Sequence, residues 1–170
     1  SGKTTFARAL AQNIKVPHLN TDGLRREMNL RGQYDEAIKQ QVYQELLLRT
    51  TRHLQDGQSV VVDATFYTST TRAPFLQLAA EQGVNIRWIE LQADEDVIRN
   101  RVSYQRPDSE ADFKVYLKIK EKYTAPAAPH LQLRSDQLSL AEMVRQARHY
   151  LTSPLTVPQH DPTRDHSTAA

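Results

Sequence analysis

Apolar positions recur along the chain in two spacings, one typical of helices and one typical of strands. Near the start, Phe6, Leu10 and Ile14 lie four residues apart, and this spacing predicts a helix with one buried face. Residues 59–64 instead hold a continuous apolar run that ends in an aspartate and an alanine, as expected for a strand covered on both faces. The chain therefore contains both periodicities, and their order decides the fold class.

The remaining elements continue this alternation of strands and helices. The spacing predicts further strands over 15–22, 84–92 and 130–136, and further helices over 21–30, 34–57, 70–83, 94–106, 110–123 and 139–151. Thr21 or Asp22 is a suitable N-cap for the second helix, and Gly57 is a suitable stop for the third. This order predicts an α/β fold with a parallel sheet, whose ligands bind beyond the carboxyl ends of the strands.

The first five residues, Ser1, Gly2, Lys3, Thr4 and Thr5, match the end of the motif G-x-x-x-x-G-K-[ST], which binds nucleotide phosphates. The glycine lets backbone N–H groups close on the phosphates, the lysine reaches the β and γ phosphates, and the hydroxyl of Thr4 is a ligand for Mg²⁺. The following helix directs its positive end at the same anion. The motif therefore predicts that these five residues bind ATP and that Lys3 also acts in catalysis. We expect the strand before the motif to lie upstream of Ser1, at the centre of the sheet.

Asp22 and Arg25 come directly after the second predicted strand, one helical turn apart. Phosphoryl transfer needs a carboxylate that takes the proton of an acceptor hydroxyl and a cation that holds the acceptor or the developing charge. The structural alternative is a helix cap at Asp22 and a solvated Arg25. Behind a phosphate-binding loop, we favour the catalytic interpretation.

Asp63 follows three valines at the end of the apolar strand. Phosphate-loop enzymes place an acidic residue there, where it orients the ligands of Mg²⁺ directly or through water. The alternative is that Asp63 accepts backbone N–H groups of the next turn. Thr65 and Arg72 follow on the same rim, and we regard them as weaker candidates for contact with the acceptor.

Two basic clusters follow later in the chain. Arg99, Arg101 and Arg106 precede the sequence PDSEAD, where a lid would bring guanidinium groups to the γ phosphate, although a solvated face is equally compatible. Lysines at 114, 118 and 122 form a stripe that would follow a polynucleotide backbone or remain a solvated helix face.

Composition excludes several other classes of protein. The 170 residues are 39% hydrophobic and 25% charged, which fits one globular domain over 1–152, and we expect a flexible tail over 153–170. The net charge of +2 is too small to indicate a nucleic-acid partner by long-range attraction. There is no cysteine for a disulfide or a metal site, and the six histidines show no metal-ligand spacing. No apolar run is long enough to span a membrane, and we expect a cytoplasmic protein.

With these motifs, the chain resembles the small phosphate-loop kinases of the polynucleotide 5′-hydroxyl kinase and zeta-toxin kind, including predicted kinases of bacteria. The resemblance covers most of residues 1–123 and rests on SGKTTFA, LNTDGLRREM, VVVDATFYTSTTR and RNRVSYQRPDSEADF. It implies a P-loop NTPase three-layer sandwich that transfers the γ phosphate of ATP to a hydroxyl. It further implies that Asp22 is the general base, that Arg25 contacts the acceptor or the scissile phosphate, and that Arg101 and Arg106 belong to the lid.

The sequence thus predicts an ATP-dependent kinase of a small hydroxyl compound, with a polynucleotide 5′ end as the alternative acceptor. A switch module that binds ATP without phosphorylating an acceptor is a second alternative. Such a switch needs Lys3, Thr4 and Asp63 but has no use for an acceptor base at Asp22. A nucleic-acid-binding module ranks last, because the aromatic residues are scattered and the surface is not strongly basic.

Overall fold

The computed structural model describes residues 2–103 and 116–154, with the backbone alone for residues 100–103. The strands are β1 (His18–Asn20), β2 (Val61–Asp63), β3 (Ile89–Gln92) and β4 (Leu131–Arg134). The helices are α1 (Lys3–Ile14), α2 (Thr21–Glu27), α3 (Glu36–Gln55), α4 (Ser69–Glu81), α5 (Glu95–Ser103) and α6 (Leu140–Thr152). Residues 116–121 are also helical. The predicted alternation of strands and helices is confirmed.

The strands form two parallel pairs. β1 pairs with β2, with Asn20 opposite Asp63, and β3 pairs with β4, with Gln92 opposite Arg134. Both pairs are parallel, as predicted, and no hydrogen-bonded ladder joins β2 to β3 among the described residues. The strands are also shorter than the predicted 59–64 and 84–92, because only the residues in the ladders adopt strand geometry. The expected central strand upstream of Ser1 stays a prediction.

Helices α1 and α6 cover one side of both strand pairs. Their contact is a hydrophobic cluster, which we call the first cluster: Phe6, Leu10, Leu133, Met143, Val144 and Ala147. Val61 of β2 and Ile89 of β3 pack against this same cluster, so it joins the two strand pairs. The four-residue spacing of Phe6 and Leu10 is thereby explained, since it puts both side chains on the buried face of α1.

Helices α2, α3 and α4 cover the other side of the β1–β2 pair. They form a second cluster of Leu24, Val42, Leu46 and Phe75. Leu19 and Val62, which are neighbours in the ladder, pack against it from the strands. The β1–β2 pair thus lies between two helical layers, as the three-layer prediction requires.

Candidate active site at the carboxyl ends of β1 and β2

The phosphate-loop residues stand at the start of α1. Gly2 is the N-cap and has a left-handed backbone, with φ 74° and ψ 14°. A side chain at this position would be strained, and glycine adopts such a conformation without penalty. No side chain caps the helix, and its first turn holds no acidic residue. The N–H groups of this turn have no intrahelical acceptors, so they suit an anion bound at the N-terminal end of α1, next to Lys3 and Thr4.

The turn from β1 into α2 fixes the position of the predicted catalytic pair. The side chain of Asn20 caps α2 by accepting a hydrogen bond from Gly23 N at 2.6 Å. The predicted cap at Thr21 or Asp22 is therefore wrong, because Asn20 has the extended backbone of an N-cap residue and the carbonyl oxygen that meets the N–H. With its cap role taken by Asn20, the side chain of Asp22 remains available for chemistry.

Asp22 and Arg25 meet on the first turn of α2. Arg25 Nη1 lies 3.4 Å from Asp22 Oδ1, while the side chain of Asp22 is 71% exposed and that of Arg25 only 10% exposed. Arg25 Nε is buried without a hydrogen-bond partner. A buried guanidinium group with an unused donor is costly unless an anion meets it. The pair therefore offers a carboxylate to solvent and a buried cation directly beside it.

Strand alternation places Asp63 on the same face of the sheet as α1. Val61 packs against the first cluster under α1, and Asp63 lies two residues further on, so both side chains point to that face. Val62, between them, packs on the opposite face. Asp63 thus lies at the carboxyl end of β2 on the side where Lys3 and Thr4 begin α1.

His18 is a functional candidate that sequence reasoning missed. Its Nε2 lies 3.6 Å from Asp63 Oδ2, the two side chains are 12% and 6% exposed, and neither atom has a hydrogen-bond partner. The histidines carry no metal-ligand spacing, so no local signal pointed to His18. The signal that would have found it is the ladder register, because His18 pairs with Val61 and so shares the face of Asp63.

Comparison with known proteins gives the wider relationship. A family model described as an AAA domain matches residues 1–126. The chain belongs to the AAA domain family. An uncharacterized protein of Mycobacterium tuberculosis is 30% identical to this AAA domain over 114 residues, covering 60% of the chain and 23% of the relative. The chain therefore spans about a quarter of the length of the curated relatives it matches.

Solved structures show the fold of the AAA domain. An APS kinase of Mycobacterium tuberculosis in complex with AMPPNP and APS superposes with a TM-score of 0.67 at 19% identity, over 89% of this chain and 91% of that one. A gluconokinase of Sinorhizobium meliloti superposes with a TM-score of 0.59 at 16% identity, over 89% and 91% of the two chains. The fold is a P-loop NTPase-like kinase fold, which confirms the predicted class.

The residues of the AAA domain fit Mg²⁺ in the way that phosphate-loop enzymes hold it. Mg²⁺ prefers one or two protein oxygens together with substrate phosphates rather than a cage of protein ligands. In the described part of the chain, no group of three or more acidic or histidine side chains forms such a cage. Asp63 Oδ2, by contrast, is a buried carboxylate oxygen that lacks a hydrogen-bond donor. The donor set therefore suits a magnesium ion that is shared with a nucleotide.

Arg72 and Thr65 make structural contacts in the AAA domain. The guanidinium group of Arg72 is buried and donates to Phe66 O at 2.8 Å, Thr124 Oγ1 at 3.1 Å and Ala125 O at 3.2 Å. Arg72 thereby holds the segment at 124–125 against the loop that follows β2. The carbonyl oxygen of Thr65 accepts a hydrogen bond from Tyr43, and burial raises the pKa of that tyrosine. These contacts occupy the guanidinium group of Arg72 and the carbonyl oxygen of Thr65.

The other predicted basic residues are only partly placed by the structure. Ser1, Arg106 and Lys114 lie outside the described residues, as does the side chain of Arg101, whose backbone belongs to α5. Arg99 is exposed on α5, and Lys118 and Lys122 are exposed near the helical residues 116–121. Their roles at the nucleotide or the acceptor stay predictions.

No helix in the described ranges is long and apolar enough to cross a membrane.

Proposed function

We propose that the chain is an ATP-dependent kinase that transfers the γ phosphate to a hydroxyl of a small-molecule acceptor. The observation that carries this proposal is the Asp22–Arg25 pair, 3.4 Å apart at the edge where β1 ends. The phosphate-loop residues at the start of α1 and Asp63 at the end of β2 belong to the same edge. A nucleotide switch has no need of an acceptor base, whereas a kinase needs one beside a cation.

The side chains divide the reaction between them. Asp22 accepts the proton of the acceptor hydroxyl, and the hydroxyl oxygen forms a bond to the γ phosphorus. The bond from that phosphorus to the oxygen that bridges the β and γ phosphates then breaks, and ADP leaves. Arg25 holds the acceptor or the transferring group, while Lys3 and the N–H groups of the first turn of α1 neutralise charge on the phosphates.

Magnesium would be held by the hydroxyl of Thr4 and, directly or through water, by Asp63. The ion supplies charge neutralisation to the β and γ phosphates when it is bound. Arg101 and Arg106 complete the proposed nucleotide contacts, as the resemblance to the polynucleotide kinase and zeta-toxin group implies.

A polynucleotide 5′-hydroxyl end is the second candidate acceptor. Its support is the pair of exposed lysines, Lys118 and Lys122, near residues 116–121, with Lys114 completing the stripe in the sequence. Lys120, between them, is instead paired with Glu95 at 2.7 Å. Binding of a polynucleotide by these lysines should weaken steeply with salt, because counterions are released, whereas a small neutral acceptor should respond little.

The test is a transfer screen with γ-labelled ATP over nucleosides, oligonucleotides, sugars and antibiotics, run on the full-length protein. Asp22→Asn should abolish transfer and leave ATP affinity within a few fold, because this carboxylate contacts the hydroxyl rather than the nucleotide. Asp56→Asn, at the far end of α3, is the matched control and should behave as wild type. An equal loss of ATP binding in Asp22→Asn contradicts the assignment. Slow ATP hydrolysis with no transfer, unchanged in Asp22→Asn, would support the switch.

A further inference from the structure

Tyr34 is the most exposed large aromatic or aliphatic side chain in the described part of the chain, at 62%. Its ring nevertheless has a defined position, with the ring centroid 4.9 Å from Arg25 Cζ. An arginine stacked on a tyrosine ring is a favourable contact, and it is stronger where water is excluded. The ring thus covers the buried guanidinium group of the proposed site while most of its own surface faces solvent.

The loop between α2 and α3 holds Tyr34 in this position from both sides. Leu30 N donates to the carbonyl oxygen of Arg25 at 2.8 Å, so a hydrogen bond ties the start of the loop to the backbone of the arginine. Asn29 and Gly32 have left-handed φ values of 57° and 75°, which turn the chain back. Asp35, directly after Tyr34, caps α3 by accepting from Ile38 N at 3.0 Å.

A second arginine–tyrosine stack in the chain has a purely structural role and serves as a comparison. Arg87 lies 5.2 Å from the ring of Tyr150, which is half-buried and donates its hydroxyl to Pro129 O. Arg87 also donates to the carbonyl oxygen of Ser153. In that stack, the tyrosine hydroxyl and the guanidinium group each donate a hydrogen bond to a backbone carbonyl oxygen. In the Tyr34–Arg25 stack, Arg25 Nε is buried without a partner, and the described residues offer the hydroxyl of Tyr34 no hydrogen bond.

We propose that Tyr34 and Arg25 together bind the acceptor, and that the acceptor is an anion carrying a planar ring. The inference rests on the proposed kinase function and specifies its substrate class. The acceptor's ring stacks on the exposed surface of Tyr34, and its anionic group meets the guanidinium group of Arg25 on the side of Nη1, next to the exposed Asp22. The guanidinium group lies on one side of the Tyr34 ring and the acceptor's ring stacks on the other. A spacer such as a sugar must therefore separate the acceptor's ring from its anionic group. Asp22, beside Arg25, faces the hydroxyl of that acceptor.

Equilibrium binding to the full-length protein tests the proposal with defined probes. The phosphate-loop site is first saturated with Mg²⁺ and AMPPNP, so that a second nucleotide cannot bind there. The ring-bearing probes are the four ribonucleoside 5′-monophosphates and phenyl phosphate, and ribose 5-phosphate is the matched probe without a ring. At least one ring-bearing probe should bind about tenfold or more tightly than ribose 5-phosphate, since stacking on an aromatic side chain is a substantial part of affinity.

Variants of Tyr34 separate the ring contact from a structural role. Tyr34→Ala should weaken binding of the tightest ring-bearing probe at least fivefold and change the affinity for ribose 5-phosphate less than twofold. Tyr34→Phe should retain wild-type affinity for both. Tyr150→Ala removes the other stack and should not affect either probe. Equal weakening of ring-bearing and ring-free probes in Tyr34→Ala overturns the proposal, as does an absence of binding by all five ring-bearing probes.

The same variants distinguish failure of this inference from failure of the kinase assignment. Transfer to a ring-free sugar or sugar phosphate, at equal rates in wild type and Tyr34→Ala, refutes the ring-bearing acceptor and leaves the kinase intact. If no compound in the screen is phosphorylated, and Asp22→Asn hydrolyses ATP at the wild-type rate, both the ring-bearing acceptor and the kinase assignment are refuted. A 5′-hydroxyl trinucleotide that binds more tightly than any mononucleotide and still depends on Tyr34 supports the ring-and-anion chemistry and identifies a nucleic-acid end as its source.

Discussion

His18 Nε2 and Asp63 Oδ2 lie 3.6 Å apart on the α1 side of the β1–β2 pair, and neither atom has a hydrogen-bond partner in the described residues. The ladder register brings them to one face of the β1–β2 pair. A buried carboxylate oxygen is costly without a donor or a cation nearby. His18 brings a polar ring nitrogen to 3.6 Å from that oxygen.

The first prediction concerns this pair. His18→Leu should lower the free energy of unfolding by about 1–3 kcal/mol, because it replaces the polar neighbour 3.6 Å from the buried Asp63 carboxylate with an apolar side chain. Urea denaturation measures the change. His53→Leu is the control, because the hydrogen bond of His53 Nδ1 to the side chain of Gln58, at 2.8 Å, is exposed. Equal losses of stability in the two variants would show that the contact between His18 and Asp63 does not stabilise the protein.

Lys3 should dominate the phosphate interactions of the proposed kinase. Lys3→Ala should cost about 2–4 kcal/mol of transition-state stabilisation, a hundredfold or greater loss in kcat/KM for ATP turnover. Arg8→Ala, an exposed basic residue on the same helix, should leave turnover unchanged. An ATP turnover indifferent to Lys3→Ala would contradict the phosphate-loop assignment.

Asp63 should control the magnesium dependence of the reaction. Asp63→Asn keeps an oxygen donor but removes the negative charge, so more Mg²⁺ should be needed for half-maximal activity. Magnesium titrations of wild type, Asp63→Asn and the distant variant Asp56→Asn measure this. An identical titration in all three proteins would show that Asp63 does not take part in binding Mg²⁺.

Asn20 should contribute to both stability and catalysis, because its cap sets the position of Asp22. Asn20→Ala should cost about 1 kcal/mol of unfolding free energy. Ser139→Ala is a matched control, since Ser139 caps α6 in the same way by accepting from Glu142 N at 3.2 Å. Both variants should lose similar stability, and only Asn20→Ala should lose transfer activity. Parallel activity losses in the two variants would show that the effect is not local to α2.

Asp136 should make stability depend on pH in the acid range. Hydrogen bonds from Arg134 hold the pKa of this carboxyl well below its ordinary value of 3.8. A carboxyl with a lowered folded-state pKa stabilises the protein above the unfolded value and loses that contribution as the pH falls further. The difference in Tm between wild type and Asp136→Asn should therefore be constant above about pH 5 and shrink below about pH 4. A difference that widens on acidification would contradict the pairing.

Much of the candidate site could be predicted from short-range patterns. The start of α1, the position of Asp63 at a strand end and the spacing of Asp22 and Arg25 all follow from backbone preference, apolar periodicity and local spacing. The cap of α2 could not be predicted in this way, because Asn20, Thr21 and Asp22 are all good caps and only the backbone angles choose between them. The arrangement of the strands in two pairs also depends on contacts between residues far apart in the chain.

Residues within a few positions of one another are enough to set the class of fold and the phosphate-binding, acid–base and cationic residue types of the proposed site. The sequence therefore determines these features without any knowledge of long-range contacts. Three other features become visible only in three dimensions: His18 faces Asp63, Arg72 holds residues 124–125, and Tyr34 covers Arg25. Each of these contacts joins separate segments, so it depends on ladder register and loop path. Register and loop path are set by the packing of the two clusters, which no local pattern specifies.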